Sequence, residues 1–336
     1  MFSRRNIRIL VSAAAIASCL SIATASANES ITFATDWKAQ AEQGGFYQAL
    51  AKGFYAREGL DVRIRQGGPQ LDNQQLIAAG ALDFAMASNS FYALNLLQAG
   101  AKATVVMASF QKDPQILMTH QRDDINSIAD MKGKPIMIGS SAVNTFWAWL
   151  KARFGFTDSQ IRKYTFNLAP WLVDKNAIQE GYVSSEPFLA LEQGVKPKVF
   201  LLADEGYPGY GAMVMVQNHW IKDRPDVVQA FVNATIDGWY SYLYGDPSPG
   251  NELIKKDNPE MTDGLLKYAR EKLKSNGIVD SGYSKKLGIG AMTPARWSEF
   301  YKTMSRIGIY PAGLDVAKAY TTQFVNKGRG ARQEGQ

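Results

Sequence analysis

Hydrophobic and polar positions along this chain switch between two periods. Ile31–Thr35 is a short β-prone run. Phe46, Tyr47, Leu50, Ala51, Phe54 and Tyr55 then recur at spacings of three and four, the stripe of a helix lying on a core. Gly59 closes that helix, with Arg57 in its last turn. Leu60, Val62 and Ile64 alternate with Asp61, Arg63 and Arg65, as in a half-buried strand. The order is strand, loop, helix, strand. In an open α/β sheet, ligands sit beyond the carboxyl ends of such strands. Asp36, Trp37 and the loop to Gly45 are therefore expected at the mouth of a site.

The alternation continues. A helix over Gln70–Ala79, closed by Gly80, leads to a strand at Leu82, Phe84 and Met86. Ser88 or Asn89 then caps a helix over Phe91–Leu97, whose first N–H groups can hold a ligand oxygen; Asn89 is either that cap or a ligand contact. Strands are predicted over Lys102–Ser109, Gln115–Thr119, Pro135–Ile138, Ile161–Phe166, Val199–Leu202 and Ala212–Gln217. Helices are predicted over Val143–Ala152, Leu172–Gln179, Asp226–Tyr244, Thr262–Ser275, Pro294–Ile307 and Asp315–Val325, with Asp246–Gly250 as a turn. Gly139-Ser140-Ser141 before one of them permits close backbone approach and anion binding. Pro187 disfavours helical geometry at Glu186, so that carboxylate is expected extended and facing a ligand, unless Lys175 or Lys198 pairs with it.

Composition narrows the class. The 336 residues are 46% hydrophobic and 20% charged, a globular balance with room for two domains. The N-terminus reads as a targeting segment: Arg4, Arg5 and Arg8 precede an apolar stretch, and Ala25-Ser26-Ala27 is an A-x-A cleavage site. Ser3-Arg4-Arg5 points weakly to twin-arginine export. Cys19, the only cysteine, lies in this segment, where lipid anchoring competes with cleavage after Ala27. The mature chain then has no thiol, hence no disulfide and no cysteine nucleophile or metal ligand. Without the three arginines the formal charge falls from +6 to +3, and the basic residues are scattered, which argues against a nucleic-acid partner.

Catalytic signatures are missing. His120 and His219 have no companions at metal-ligand spacing, no G-x-S-x-G elbow occurs, and the Gly139 turn lacks the G-K-[ST] ending of a phosphate-binding loop. No catalytic residue, metal or cofactor is expected. The predicted loops instead carry aromatics: Trp37, Phe46, Tyr47, Trp171, Tyr207 and Tyr210, with Tyr182 and Phe188 beside Glu186. A planar ligand can stack on such rings, each good pair adding roughly 0.5–1.5 kcal/mol. Asp36 and Glu186 can accept its N–H groups. Phe46 and Tyr47 have packing as their competing role, Asp36 a helix cap. The alternative cargo is a small anion held by amides near Ser88, Asn89, Ser140 and Ser141, with Lys38; the two carboxylates oppose it.

The segments ITFATDWKAQAEQGGFYQALAKGFYAREGLDV, DMKGKPIMIGSS and DKNAIQEGYVSSEPF resemble the NMT1/THI5-like family of periplasmic substrate-binding proteins, over roughly Ile31–Val325. Where many members carry G-x-V-D-A, this chain has Tyr182-Val183-Ser184-Ser185, so no aspartate role carries over there. The cysteine-rich motif of the family's pyrimidine-forming enzymes has no match. The resemblance implies an α/β, two-lobed periplasmic binding protein fold with a two-strand hinge, type II-like. It implies a signal peptide over 1–27, a discontinuous first lobe over 28–118 and 213–325, a second lobe over 119–212, and a flexible tail over 326–336. It further implies a monomer in the periplasm that captures a small molecule, a thiamine pyrimidine precursor in the first instance, and passes it to an ABC permease. Riboflavin, nitrate and sulfonates are the family's other cargoes, and a sensory module of the same shape is the non-transport alternative.

Overall fold

In a computed structural model of the chain, residues 28–69, 71 and 73–331 are described, so the expected signal peptide and Cys19 lie outside the described residues. The elements run β1 (Glu29–Ala34), α1 (Gly44–Ala51), α2 (Phe54–Arg57), β2 (Leu60–Arg65), α3 (Asn73–Ala78), β3 (Phe84–Asn89), α4 (Ser90–Gln98), β4 (Ala103–Phe110), β5 (Gln115–Thr119), β6 (Ile136–Ile138), α5 (Phe146–Phe154), β7 (Ile161–Lys163), α6 (Ala169–Val173), β8 (Ile178–Tyr182), α7 (Glu186–Glu192), β9 (Lys198–Leu201) and β10 (Gly211–Gln217). The remainder is helical: α8 (Asn218–Asp223), α9 (Pro225–Tyr244), α10 (Ser248–Asp257), α11 (Asp263–Ser275), α12 (Ser284–Leu287) and α13 (Pro294–Arg306).

The strands form two five-stranded mixed sheets, in the orders β2-β1-β3-β10-β4 and β7-β6-β8-β5-β9. Only β10 returns from the second half of the chain to the first sheet, antiparallel to both β3 and β4. The chain therefore passes between sheets twice, after Phe110 and after Leu201. In the first sheet β1, β2 and β3 are parallel; in the second, β6, β7 and β8 are parallel. The carboxyl ends of these strands deliver Asp36, Ser88, Gly139, Tyr164–Phe166 and Tyr182–Glu186 to loops, as open α/β sheets deliver ligand-binding groups.

The first lobe is clamped by an aromatic seam. Phe33, Phe46, Phe231 and Trp239 meet edge to face or tilted, and all four are buried. Gly44 and Gly45 begin α1 here because nothing larger fits: a Cβ on Gly45 would lie 2.2 Å from Trp239, and one on Gly44 would lie 2.2 Å from Tyr242. Their absence of side chains lets α1 lie directly on α9. The expected core face of α9 (Val228, Phe231, Val232, Thr235, Ile236 and Trp239) is buried throughout.

Three local expectations fail for tertiary reasons. Leu172–Gln179 is not a helix: α6 stops at Val173, Asp174 turns the chain by accepting from Asn176 N–H (2.8 Å), and Ile178 enters β8 between β5 and β6. Asp315–Val325 holds only a short 3-10 turn at Val316–Lys318; beyond it, Ala319 and Tyr320 pair with Val105 at the edge of β4. Ser248 starts helix α10 rather than sitting inside a turn. At the start of the expected tail, the Asn326 amide donates to Met292 C=O (2.7 Å), and the Arg329 guanidinium bridges Asp237 (2.6 Å) and Glu58 (3.0 Å).

Candidate functional site

The lobes face each other across a cleft. Asp36, Leu71 and Asn73, with Met86, Tyr92 and Asn95, line one wall; Ser140, Ser141, Asn144 and Thr145 line the other, around a cavity of about 640 Å³. No lysine, arginine or histidine is among its lining residues. Deeper in, the lobes touch. The Trp37 ring lies 4.6 Å from the Phe166 ring, tilted by 57°. The Ser184 hydroxyl of the second lobe donates to the Glu42 carboxylate of the first.

Acidic groups dominate this interior. Asp36, half-buried, faces the Ser88 hydroxyl and accepts from the Gln43 amide at 3.4 Å; burial raises its carboxyl, and those hydrogen bonds oppose the shift. Burial pushes Glu42 up to about 7 against the Ser184 bond, with Glu186 and Asp36 adding repulsion. Asp113, on the crossing between sheets, caps Gln115 N–H (2.9 Å) and is pushed by burial up to about 7. Glu180 projects from β8; its Oε1 accepts Gly139 N–H at 2.8 Å, its Oε2 has no partner among the described residues, and burial lifts it to about 8. Glu186 accepts from Tyr182 N–H (2.7 Å), the Ser185 hydroxyl (2.5 Å) and the Tyr164 hydroxyl (3.3 Å), and burial raises it as well. A buried charge without a partner is costly, which is why burial shifts these carboxyls toward their protonated form.

Glu186 reaches this cluster by a route the sequence did not suggest. It opens α7 in helical geometry, with Pro187 inside the first turn, where its missing N–H costs nothing. Lys175 and Lys198 are occupied elsewhere, on Leu172 C=O and on Ile125 C=O with the Asn126 side chain. Of the expected contacts, Asp36, Ser140 and Ser141 line the cavity; Trp37 meets Phe166 of the other lobe, Ser88 faces Asp36, and Glu186 lies near Glu42.

Other expected contacts belong to the scaffold. Trp171 is fully buried in the second lobe, stacked on His120 with ring centroids 3.9 Å apart and planes 11° from parallel. Tyr47 is buried under α10 and donates to Asp257 (2.8 Å). Phe46 belongs to the aromatic seam. Asn89 caps α4, its side-chain oxygen accepting Phe91 N–H at 3.1 Å. Tyr210 packs on Trp297 under the Arg296 guanidinium, and its hydroxyl accepts Thr293 N–H. Tyr207 sits on the second crossing between Phe91 of one lobe and Trp149 of the other, a hinge plug rather than a cleft wall. Phe188 packs on Tyr268 of α11, closing one rim. Lys38, the expected anion partner, is exposed and bound to Glu260 (3.0 Å). Glu42, Asp113, Glu180 and Phe166 were missed. Glu42 and Glu180 read as polar positions of ordinary elements, and no periodicity marks a carboxylate that tertiary folding will bury.

Two sheets joined by two crossings around a cleft define the fold of the two-lobed periplasmic binding proteins. The sulphonate-binding protein SsuA of Escherichia coli shares it with a TM-score of 0.64, at 13% identity, covering 87% of this chain and 91% of that one. The NMT1/THI5-like family model matches residues 40–249, and the chain belongs to that family. Among curated relatives, the riboflavin-binding protein RibY of Chloroflexus aurantiacus is 25% identical over 89% of this chain and 87% of its own. The formylaminopyrimidine-binding protein of Halalkalibacterium halodurans is also 25% identical, over 81% and 84%. A 4-amino-5-hydroxymethyl-2-methylpyrimidine phosphate synthase of Schizosaccharomyces pombe is 24% identical over 77% and 82%.

Proposed function

We propose that this protein is the extracytoplasmic solute-binding component of an ABC importer, acting as a monomer that delivers its cargo to a permease. The cargo is a small planar heterocycle bearing N–H donors, of the thiamine-pyrimidine-precursor kind. One observation carries the cargo class: Asp36 lines the cavity with no cationic side chain among its lining residues, and four further buried carboxyl groups (Glu42, Asp113, Glu180 and Glu186) form an electrostatically coupled cluster with it. Amino groups and ring N–H groups satisfy carboxyl oxygens; a sulfonate or nitrate would find no positive partner among the cavity's lining residues. Trp37 and Phe166 supply aromatic faces beside the acids. Two relatives named for binding a pyrimidine and a flavin support a planar cargo.

Riboflavin is the second reading, favoured by a cavity of about 640 Å³, within the range that holds a drug-sized ligand. Despite the synthase among the relatives, an enzymatic role draws no support from the described histidines: His120 is packed against Trp171, and His219 lies on the surface near Asp83. The test is calorimetry on the mature protein with aminopyrimidines, riboflavin, an alkanesulfonate and nitrate. Binding of an aminopyrimidine, released by acid, is the expected result. Binding of the sulfonate or nitrate alone would overturn the cargo class.

A further inference from the structure

The two crossings between the lobes are pinned from both sides, and the pins leave two short joints. On the first-lobe side, Gln111 N–H (2.6 Å) and Lys112 N–H (3.1 Å) both donate to Ile278 C=O, and Tyr210 N–H donates to the Ser90 hydroxyl (2.9 Å). On the second-lobe side, Pro114 C=O accepts Val183 N–H and Gln115 C=O accepts Leu202 N–H, each at 3.0 Å. Tyr207 N–H folds back onto Leu202 C=O, also at 3.0 Å. The joints left between these pins are Lys112–Asp113 and Tyr207–Pro208. One side chain ties the first-lobe ends of both crossings. The Arg296 guanidinium, on α13, donates to Gln111 C=O on the first crossing and to Pro208 C=O (3.3 Å) and Gly209 C=O (3.1 Å) on the second. It lies over the Tyr210 ring, 4.3 Å from the centroid. No carboxylate hydrogen-bonds to it among the described residues, and burial pulls its pKa below the ordinary arginine value. Withdrawing an arginine from water without an anion is costly, yet here its donors go to the backbone of the two crossings.

We infer that Arg296 is the positioning residue of the hinge: it locks the first-lobe ends of both crossings to each other, so that the second lobe turns as one body about Lys112–Asp113 and Tyr207–Pro208. The guanidinium is a rigid planar fork, so carbonyls bound to it on two strands cannot shift independently. Pro208, with its ring-fixed φ, stiffens the second crossing where the fork grips it. Rotation is then left to a few backbone dihedrals, as a hinge requires. The walls that carry Asp36 and Ser140 therefore approach each other in a single register. The ion pair of Lys112 with Asp204 (3.0 Å) also links the crossings, but both groups are largely exposed and the pair contributes little. This role follows from the two-lobed fold and is independent of the cargo.

The experiment compares wild type, Arg296→Met, Arg296→Lys and Lys112→Ala, all without cargo, by amide hydrogen exchange and small-angle X-ray scattering. Arg296→Met keeps much of the apolar stem. It should speed exchange at Gln111, Lys112 and Tyr210 by roughly tenfold or more, as loss of hydrogen bonds to a charged group implies. Exchange in β1 and β8, inside the two lobes, should stay as in wild type, while scattering shows a larger radius of gyration as the lobes spread. Arg296→Lys keeps the charge but cannot grip both crossings at once, so it should fall between wild type and Arg296→Met. If Arg296→Met does not fold, Arg296→Lys decides alone. Lys112→Ala should match wild type in both measurements. Wild-type exchange and scattering in the Arg296 variants would overturn the inference. So would faster exchange shared equally by β1 and β8, which would make Arg296 a general scaffold residue. Neither outcome touches the proposed cargo, which calorimetry tests separately.

Discussion

Asp124 and Glu42 show two ways for one protein to use a carboxyl group. Asp124 lies on the surface, held by Arg122 at 2.5 Å and Lys134 at 3.1 Å, and these partners keep it well below the ordinary carboxylate range. Glu42 lies between the lobes with one serine hydroxyl as partner and other acids as neighbours, and burial drives it up to about 7. Surface ion pairs add little to stability, and buried unpaired acids subtract from it. On the proposed function, the acids of the interior are groups poised for a ligand, and those of the surface are solvated pairs.

The two tryptophans flanking this comparison give the largest contrast. Trp171→Ala empties a fully buried site and should cost about 3–5 kcal/mol, seen as a large drop in Tm. Trp37→Ala should leave Tm nearly intact and instead weaken cargo binding, by up to about tenfold for a lost stacking partner of roughly 0.5–1.5 kcal/mol. Equal Tm losses in both would place Trp37 in the scaffold and break the division. Next in size is Asp36→Ala: loss of a carboxylate acceptor should reduce heterocycle affinity roughly tenfold to a hundredfold, as expected of about 1.5–3 kcal/mol for a hydrogen bond to a charged group. Retained affinity would remove Asp36 from recognition.

A pH titration sharpens the comparison without mutation. Acids raised on folding bind more protons folded than unfolded between their two values, so stability falls as pH rises through that window. For Glu42, Asp113 and Glu180 the window runs from the ordinary carboxylate values, 3.8 for Asp and 4.5 for Glu, up to about 7 to 8. Chemical denaturation should show declining stability from pH 5 to 8, and Glu42→Gln should flatten the slope; a rise with pH would contradict the cluster as described. The smallest effect is expected at Asp124→Asn, which should leave cargo affinity unchanged in the same calorimetry. A clear loss there would mean the surface pair matters to the cleft.

Much of the architecture was legible in the chain. The alternation at Leu60, Val62 and Ile64 became β2, and the stripe of α9 became the buried face that clamps α1. Where local signals conflicted with distant partners, the partners won: Ile178 joins β5 and β6 instead of extending a helix, and Glu186 begins one despite Pro187. Among the site candidates, Asp36 and Trp37 stood out because they follow a predicted strand, and Glu186 because Pro187 follows it. Trp171 and Tyr47 misled because an aromatic in a predicted loop looks the same whether it turns inward or out.

Periodicity and short motifs are local properties of the chain, and they were enough for most of the elements and for the family. Which carboxyls lose their water was settled by folding alone. Glu42 and Ser184 are 142 positions apart, and so are strangers until two sheets close on each other. Desolvation depends on everything nearby in space, and no stretch of sequence carries that information.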